Sequence, residues 1–352
     1  SHGASAQHKG GSVEEVTSSA QHKGGSVEEV TSRLAKVGTG LAAVAIFLGL
    51  LLIVFFIGAR AKGKLQFPAA MIVFLGPAIL LLAYGLIAPA FLTTAGSFKD
   101  ASGQEWVGLA NFSWIFTTPS NREVLLNTAL WIIIAPLFST MLGLTLALLL
   151  DRMRRESISK SLIFMPMAIS FVGAGIIWGL VYEYRDPAGA QIGLLSQIAQ
   201  WLGIEDPPNW LLWQPWNNFF LMVIMIWMQV GFAMVVLSSA IKAIPGDVVE
   251  AAELDGATGW KLFSRVTIPM IRGTLIVVLT TIVIAVLKVF DIVRVMTNGN
   301  FGTQVVANEM YAQAFVQFDV GRGSALAVVL FVAVIPLIAY NVVQLRKERT
   351  IR

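Results

Sequence analysis

The chain has 352 residues, of which 56% are hydrophobic and only 13% carry a charge. Soluble domains carry roughly 25% charged residues, so this composition excludes a water-soluble globular protein. There is no cysteine, and the three histidines lie within the first 22 residues, which excludes disulfides, cysteine metal sites, zinc chemistry and Ser/His catalysis in the hydrophobic body. The net charge of +4 is spread over short basic clusters between apolar runs, a pattern of membrane topology and not of nucleic-acid binding.

Residues 1–36 are predicted to form a disordered polar tail. The fourteen residues SAQHKGGSVEEVTS at 5–18 are repeated without change at 19–32. We interpret so perfect a repeat as a recent duplication made during cloning, with the first three residues as a tag remnant. A functional two-copy recognition tail is the alternative.

Seven stretches are long and apolar enough to cross about 30 Å of hydrocarbon as helices. They are 37–58, 68–93, 124–150, 161–183, 217–241, 273–296 and 323–345. Basic residues follow the odd-numbered stretches, and short cytoplasmic loops are rich in Lys and Arg, so we expect the N-terminus outside and the C-terminus inside.

The fold class is therefore predicted to be all-α, a polytopic membrane protein with a six-helix core at 67–346. An extra N-terminal transmembrane helix with a basic cytoplasmic loop precedes the core at 37–66, and a cytoplasmic tail follows it at 347–352.

The longest predicted cytoplasmic connection, 242–272, begins with an acidic segment. Asp247 and Glu250 have the spacing of a capping box, with Asp in the place of Ser or Thr. This spacing predicts a short helix from about Val248 to Leu254.

A second helix is predicted to follow the first. Gly256 can take the positive φ that ends a helix, and Trp260, Phe263 and Val266 then recur at helical spacing up to Pro269. The resulting helix-turn-helix offers anionic side chains to a soluble partner. The alternative, a loop lying on the lipid surface, is disfavoured because four acids within nine residues would be repelled by anionic lipid.

This segment also carries a recognisable motif. Glu250-Ala-Ala-x-x-Asp-Gly256, followed after nine residues by Val266-x-Ile-Pro269, resembles the EAA signature of the permease subunits of binding-protein-dependent ABC importers. The segment WVGLANF at 106–112 resembles the carbohydrate-type branch of that family. The resemblance covers roughly 67–346 and departs at Asn300-Phe301, where many members have Gly-Pro.

The resemblance implies a type I ABC importer permease in the cell (inner) membrane of a bacterium or archaeon. The implied partners are a second homologous permease, two cytoplasmic ATPase subunits and an extracytoplasmic sugar-binding protein. It also implies that this chain binds no cofactor itself, because ATP and Mg would be held by the ATPase. The residues implied to couple the permease to the ATPase are Glu250, Ala251, Ala252, Asp255, Gly256 and Pro269.

Polar and aromatic residues within the fifth and sixth predicted spans are candidates for a substrate path. A sugar site needs aromatic platforms and hydrogen-bonding partners, and polar residues are costly to bury in lipid unless they serve a function. The candidates are Trp227, Gln229, Gly231, Phe232, Lys288, Phe290 and Asp291. The spacing of Lys288, Asp291 and Arg294 predicts one helix face on which Asp291 pairs with either base, and a purely structural ion pair is the alternative to substrate contact.

The substrate is expected to be a di- or oligosaccharide, because the segment 297–311 resembles α-glucoside-type members. A permease for another polar solute, such as glycerol phosphate, is an alternative, since Lys288 and Arg294 would supply positive charge.

An integral membrane glycosyl-transfer enzyme is less favoured, because the only carboxylate cluster is the EAA segment. We expect no catalytic residue and no metal site. A proton-coupled carrier is disfavoured because no Asp, Glu or His lies near the middle of a span.

Overall fold

The computed structural model describes residues 66–151, 153–186 and 191–350, together with isolated positions between 38 and 56. The predicted polar tail with its repeat lies outside the described residues, as does most of the first predicted span, 37–58. The chain divides into two compact units, Ser1–Ala90 and Phe91–Arg352. The predicted domain boundary at 66/67 lies at the edge of the described range and stays a prediction.

The described part of the first unit is helical. It comprises α1 (Gln66–Leu82), a π-helical turn at Ala83–Ile87 and the start of α2 (Ala88–Gly96). Most of the apolar side chains that the structure describes between Leu75 and Ile87 are exposed, with Leu80 at 71% and Tyr84 at 84% of their full accessibility. Side chains of this kind need lipid or protein around them, which agrees with the second predicted span.

The second unit is also helical, and the described residues contain only one isolated β-bridge, between Lys99 and Trp106. Its remaining helices are α3 (Ala110–Thr117), α4 (Pro119–Leu150), α5 (Glu156–Phe164), α6 (Phe171–Val181), α7 (Leu194–Trp201), α8 (Trp216–Lys242), α9 (Gly246–Leu254), α10 (Trp260–Leu262), α11 (Ile268–Leu287), α12 (Asp291–Met296), α13 (Val306–Tyr311) and α14 (Val320–Thr350).

Five described helical stretches are long and apolar enough to cross a membrane, and a bent helix pair is the candidate for a sixth. The five stretches are Leu75–Gly96, Pro119–Leu150, Trp216–Lys242, Trp260–Leu287 and Val320–Val343. The second, third, fifth and seventh predicted spans are therefore confirmed as apolar helices. The fourth and sixth predicted spans differ from the prediction in shape.

The fourth predicted span, 161–183, is broken into two helices, so the prediction of one helix over this range was wrong. Helix α5 with its short 3₁₀ turn and helix α6 meet at an angle of 103°. Pro166 lies in the 3₁₀ turn, and Ile169 and Ser170 after it are extended. The Ser170 hydroxyl accepts a hydrogen bond from the Gly173 amide at 3.0 Å, which caps the new helix.

The sixth predicted span, 273–296, is interrupted as well. Helix α11 ends at Leu287, and α12 begins at Asp291 after an irregular Phe290. The break buries Val289 in the core and lets the Phe290 ring pack on the Tyr311 ring, with centroids 4.8 Å apart. Burial of these two side chains offsets the helical hydrogen bonds that the break removes.

Helices α4 and α8 pack closely along their lengths and run in the same direction. A methyl group on Gly143 would lie 2.5 Å from the Ala233 Cβ and 2.8 Å from the Met234 nitrogen, so the two backbones approach as small residues allow in membranes. The fully buried Trp131 donates its indole N–H to the Asn218 side-chain oxygen at 2.9 Å. This pair of helices forms the centre of the core.

Candidate coupling site and substrate path

Helix α9 carries the acidic motif, and its start differs from the prediction. The helix begins at Gly246, with the extended Pro245 as its N-cap, and no side chain caps it. The predicted capping box between Asp247 and Glu250 is therefore wrong. Asp247 instead lies in the first turn, where a carboxylate is favourable beside the positive end of the helix dipole.

The end of α9 agrees with the prediction. Gly256 has a φ of 78°, in the left-handed region that favours glycine. Its amide donates to the Glu253 carbonyl at 3.0 Å, and the Ala257 amide donates to the Ala252 carbonyl at 2.9 Å. These bonds satisfy carbonyls that the helix end leaves free.

The second helix of the motif forms as predicted and continues past Pro269. Helix α10 continues through a π-helical turn, Phe263–Thr267, into α11, so one helical stretch runs over Trp260–Leu287. Pro269 lies in the first turn of α11. Because proline has no N–H to donate, the wider turn directly before it accommodates the missing hydrogen bond.

Helix α9 lies at the surface of the bundle. None of its residues is buried, and Leu254 keeps 90% of its accessible surface. Trp260, just after the turn, keeps 76%. Of the predicted coupling residues, only Ala252 is half-buried, and Glu250, Ala251, Asp255, Gly256 and Pro269 are exposed. Large exposed apolar side chains rimmed by charges are typical of a protein interaction site.

A cluster of charged and polar side chains lies directly before α9 and joins three helices. We call it the Lys160 cluster; its members are Asp151 after α4, Glu156 and Lys160 on α5, and Ser238 and Lys242 on α8. The Lys160 amine donates to Asp151 Oδ1 at 2.5 Å and to Glu156 Oε1 at 2.7 Å, and also to Ser238. Asp151 accepts from Ser238 at 2.7 Å, and Lys242 donates to Glu156.

The Lys160 cluster has the features of a structural ion-pair network and not of a catalytic or metal site. The side chains of Asp151 and Lys160 are only 14% and 16% exposed, and the charges compensate one another. No group of three or more potential metal ligands occurs among the residues that the structure describes. The cluster therefore fixes the ends of α4, α5 and α8 at the place where the chain enters α9.

The four path candidates on α8 lie on two different faces. Trp227 and Gly231, four residues apart, share the face that meets the broken fourth span. The Trp227 ring packs edge-on against the Trp178 ring of α6, with centroids 5.7 Å apart. Gln229 and Phe232, three residues apart, share another face, and both are half-buried.

Gly231 allows the backbones of α8 and α5 to pack closely. A Cβ at this position would lie 2.6 Å from the Ile163 carbonyl oxygen and 2.7 Å from the Phe164 Cα, both backbone atoms of α5. The residue is buried, so the structure places it against α5, and its role in the substrate path stays a prediction.

We expect Gly231→Ala to destabilise the protein by roughly 1–3 kcal/mol, the usual cost of overpacking. Gly179→Ala is the matched control, because Gly179 is a helical glycine with no atom within 4 Å of the added methyl. Thermal unfolding followed by tryptophan fluorescence measures both. Equal stability of the two variants would contradict the close packing at Gly231.

The three path candidates after α11 are separated. Lys288 is exposed at the end of α11, whereas Asp291 begins α12 and is half-buried. No ion pair between Asp291 and either base occurs in the part of the chain that the structure describes, so the predicted pairing on one helix face is wrong. The Arg294 guanidinium instead lies over the Tyr311 ring, 4.9 Å from its centroid, and Phe290 packs on the same ring.

Sequence reasoning missed the role of three asparagines at the end of the bundle opposite α9. Asn127 donates to the carbonyls of Gly302 and Gln304 at 2.8 and 3.0 Å. Asn217 donates to the Phe301 carbonyl at 2.8 Å, and Asn218 to the Gly302 carbonyl at 3.3 Å. These bonds hold a loop in which Phe301 and Gly302 both have positive φ. Buried amides within apolar helices were the available signal.

Comparison with known proteins identifies the family. The family model for the inner membrane component of binding-protein-dependent transport systems matches residues 139–352. The chain belongs to this family. It is therefore a multi-pass membrane protein and a transport subunit. That α9 with its flanking turn is the EAA element stays a prediction.

Two permeases of known name are similar to this chain along most of their length. The chain is 48% identical over 276 residues to the alpha-glucoside transport system permease protein AglF of Rhizobium meliloti, covering 78% of this chain and 82% of that protein. It is 49% identical over 277 residues to the osmoprotective compounds uptake permease protein GgtC of Synechocystis sp., covering 78% of this chain and 99% of that protein.

A solved structure has the same fold. It is the crystal structure of a bacterial alginate ABC transporter in complex with an alginate pentasaccharide-bound periplasmic protein. One of its chains aligns with a TM-score of 0.68 at 20% identity, covering 79% of this chain and 94% of that chain. The all-α fold of an importer permease is thereby confirmed.

Proposed function

We propose that this permease carries a carbohydrate, a di- or oligosaccharide of the α-glucoside class, through an ATP-driven importer. The observation that carries the proposal is the 48% identity to a permease named for alpha-glucoside transport, over most of both chains. The path candidates are consistent with it, because aromatic rings and an amide suit sugar ring faces and hydroxyls.

The proposed assembly contains a second homologous permease, two cytoplasmic ATPase subunits that hold ATP and Mg, and an extracytoplasmic sugar-binding protein. The proposed orientation places the end of the bundle that carries α9 in the cytoplasm, with the N-terminus outside and the C-terminus inside. The basic residues that follow α4 and α8, and those in the last turns of α14, support this orientation. The exposed Leu254 and Trp260 support docking of a soluble subunit on α9.

The proposed coupling follows from the connectivity around α9. The helix lies between the ends of two long apolar helical stretches, Trp216–Lys242 and Trp260–Leu287. A displacement of α9 by a docked ATPase therefore moves α8 and α11 together. The Lys160 cluster ties α8 to α4 and α5 at the same end, so the displacement reaches those helices as well.

Uptake by the reconstituted importer tests the substrate class. Proteoliposomes that contain both permeases and the ATPase, supplied with the binding protein, should accumulate radiolabelled maltose only when ATP is present. Unlabelled glycerol 3-phosphate in hundredfold excess should not compete. ATP-driven uptake of labelled glycerol 3-phosphate without uptake of maltose would overturn the carbohydrate proposal and leave the importer class intact.

The two half-buried path candidates on α8 are expected to contact the sugar. We expect Gln229→Ala and Phe232→Ala each to raise the half-saturating substrate concentration about tenfold, because each removes a contact of about 1.4 kcal/mol. Val223→Ala is the matched control, since Val223 lies on the same helix and is 41% exposed. Unchanged uptake by both path variants, at normal abundance in the membrane, would remove these residues from the path.

A further inference from the structure

An open cavity of about 810 Å³ lies beside the Lys160 cluster, at the end of the bundle that carries α9. Its polar wall includes Arg154, Arg155 and Ser157, around the start of α5. Its apolar wall includes Phe164 of α5 and Val235 of α8. None of the predicted coupling or path residues lines it, so the proposed function gives it no role.

The cavity has an excess of positive charge. Glu156 and Lys160 also line it, but each is neutralised within the Lys160 cluster. Arg154 and Arg155 are exposed, and neither forms an ion pair with any residue that the structure describes. Two guanidinium groups are therefore available to an anion that enters the cavity.

Helix α5 begins at the end of the bundle that carries α9 and runs along α8 away from that end. Glu156 at its start accepts a hydrogen bond from Lys242, whereas a Cβ at Gly231 would lie 2.7 Å from the Phe164 Cα two turns later. The cavity therefore has its two arginines at the end of the bundle and part of its apolar wall deeper along the two helices. Apolar side chains at helical spacing on α5 are each about 60% exposed, namely Ile158, Leu162 and Met165.

We propose that this cavity binds an anionic phospholipid. The phosphate would lie between Arg154 and Arg155, which can bind its oxygens with paired N–H groups, and the Ser157 hydroxyl is available to the rest of the headgroup. The acyl chains would follow Phe164 and Val235 toward the hydrocarbon. Basic pockets between helices at the membrane surface bind anionic headgroups in this manner. The occupant is a lipid because the cavity combines unpaired cations at the end of the bundle with an apolar wall that continues deeper along α5 and α8.

Lipid binding to the purified importer tests the proposal. The full chain with its partner subunits is delipidated in detergent and titrated with phosphatidylglycerol or phosphatidylcholine, and native mass spectrometry counts the bound lipids. We expect the wild type to prefer phosphatidylglycerol at least tenfold, and Arg154→Gln/Arg155→Gln to lose this preference. Glycerol 3-phosphate at millimolar concentration should not displace the lipid, because it lacks acyl chains.

The matched control is Arg265→Gln/Arg272→Gln, which removes two exposed basic side chains from outside the cavity. It should keep the preference for phosphatidylglycerol. Equal binding of both lipids by the wild type, equal loss of the preference in the control, or displacement by glycerol 3-phosphate would each overturn the proposal.

A second measurement separates lipid from protein as the occupant. The chain has no cysteine, so Ser161→Cys provides a single thiol on the cavity wall. We expect a thiol-reactive lipid analogue to label it in the assembled importer. Crosslinking of this thiol to the second permease, with no labelling by the lipid analogue, would show a subunit interface and overturn the proposal.

Discussion

Glu250→Ala/Leu254→Ala is expected to release the ATPase from the importer and to lower ATP-driven uptake by more than about 100-fold. The two side chains lie four residues apart on one face of α9 and are both exposed, Leu254 at 90%. Central interface residues each contribute about 2 kcal/mol or more, and two such losses weaken binding by about a thousandfold. The ratio of ATPase to permease after affinity purification measures the effect.

The same pair of residue types occurs at the opposite end of the bundle and provides the control. Leu202 is 77% exposed, and Glu205 three residues later is also exposed. Leu202→Ala/Glu205→Ala removes one leucine and one acid but should leave the ATPase bound. Retention of the ATPase by the α9 variant, or its loss from both variants, would contradict docking on α9.

Much of the fold was predictable because hydrophobic length is a strong signal in a membrane chain. The predicted span 217–241 differs by one residue at each end from the observed Trp216–Lys242. Such a helix satisfies its own backbone hydrogen bonds, so its position depends on local composition and little on the rest of the fold.

The break in the fourth predicted span had a local signal in Pro166. The break in the sixth was not predictable in the same way, because it depends on tertiary contacts. The interruption after Leu287 is stabilised by the burial of Val289 and by the Phe290–Tyr311 contact, whose partners are 21 residues apart in the sequence. Charged residues begin at that point with Lys288 and Asp291, but charged side chains also occur within continuous helices and do not by themselves indicate a break. An expectation based on helical spacing therefore placed Lys288 and Asp291 on one face that the fold does not form.

The candidate site likewise has features that were predictable from the sequence and features that were not. The turn at Gly256 was predictable because only glycine readily takes its φ of 78°. The role of Gly231 was not, since the sequence contains no sign that the backbone of residues 163 and 164 lies against it. The Lys160 cluster was also missed, because its members come from three helices and meet only in the folded chain.

Lys160→Met is expected to destabilise the protein by about 2 kcal/mol, a value below the usual cost of breaking a fully buried ion pair because the cluster keeps some access to water. The substitution leaves Asp151, which is 14% exposed, without its closest cation. The unfolding midpoint should fall by about 5 °C. Lys242→Met is the comparison: its side chain is 50% exposed, so the loss should stay below about 1 kcal/mol.

Removing the opposing charge together with Lys160 distinguishes an electrostatic role from lost packing. Asp151→Asn/Lys160→Met deletes both charges of the 2.5 Å contact, while Glu156 keeps its hydrogen bond from Lys242. We expect the double variant to regain at least half of the lost stability, because a paired removal leaves no uncompensated charge. If the double variant is as unstable as the sum of its single variants, the charges do not interact. The Lys160 cluster would then hold α4, α5 and α8 together by packing alone.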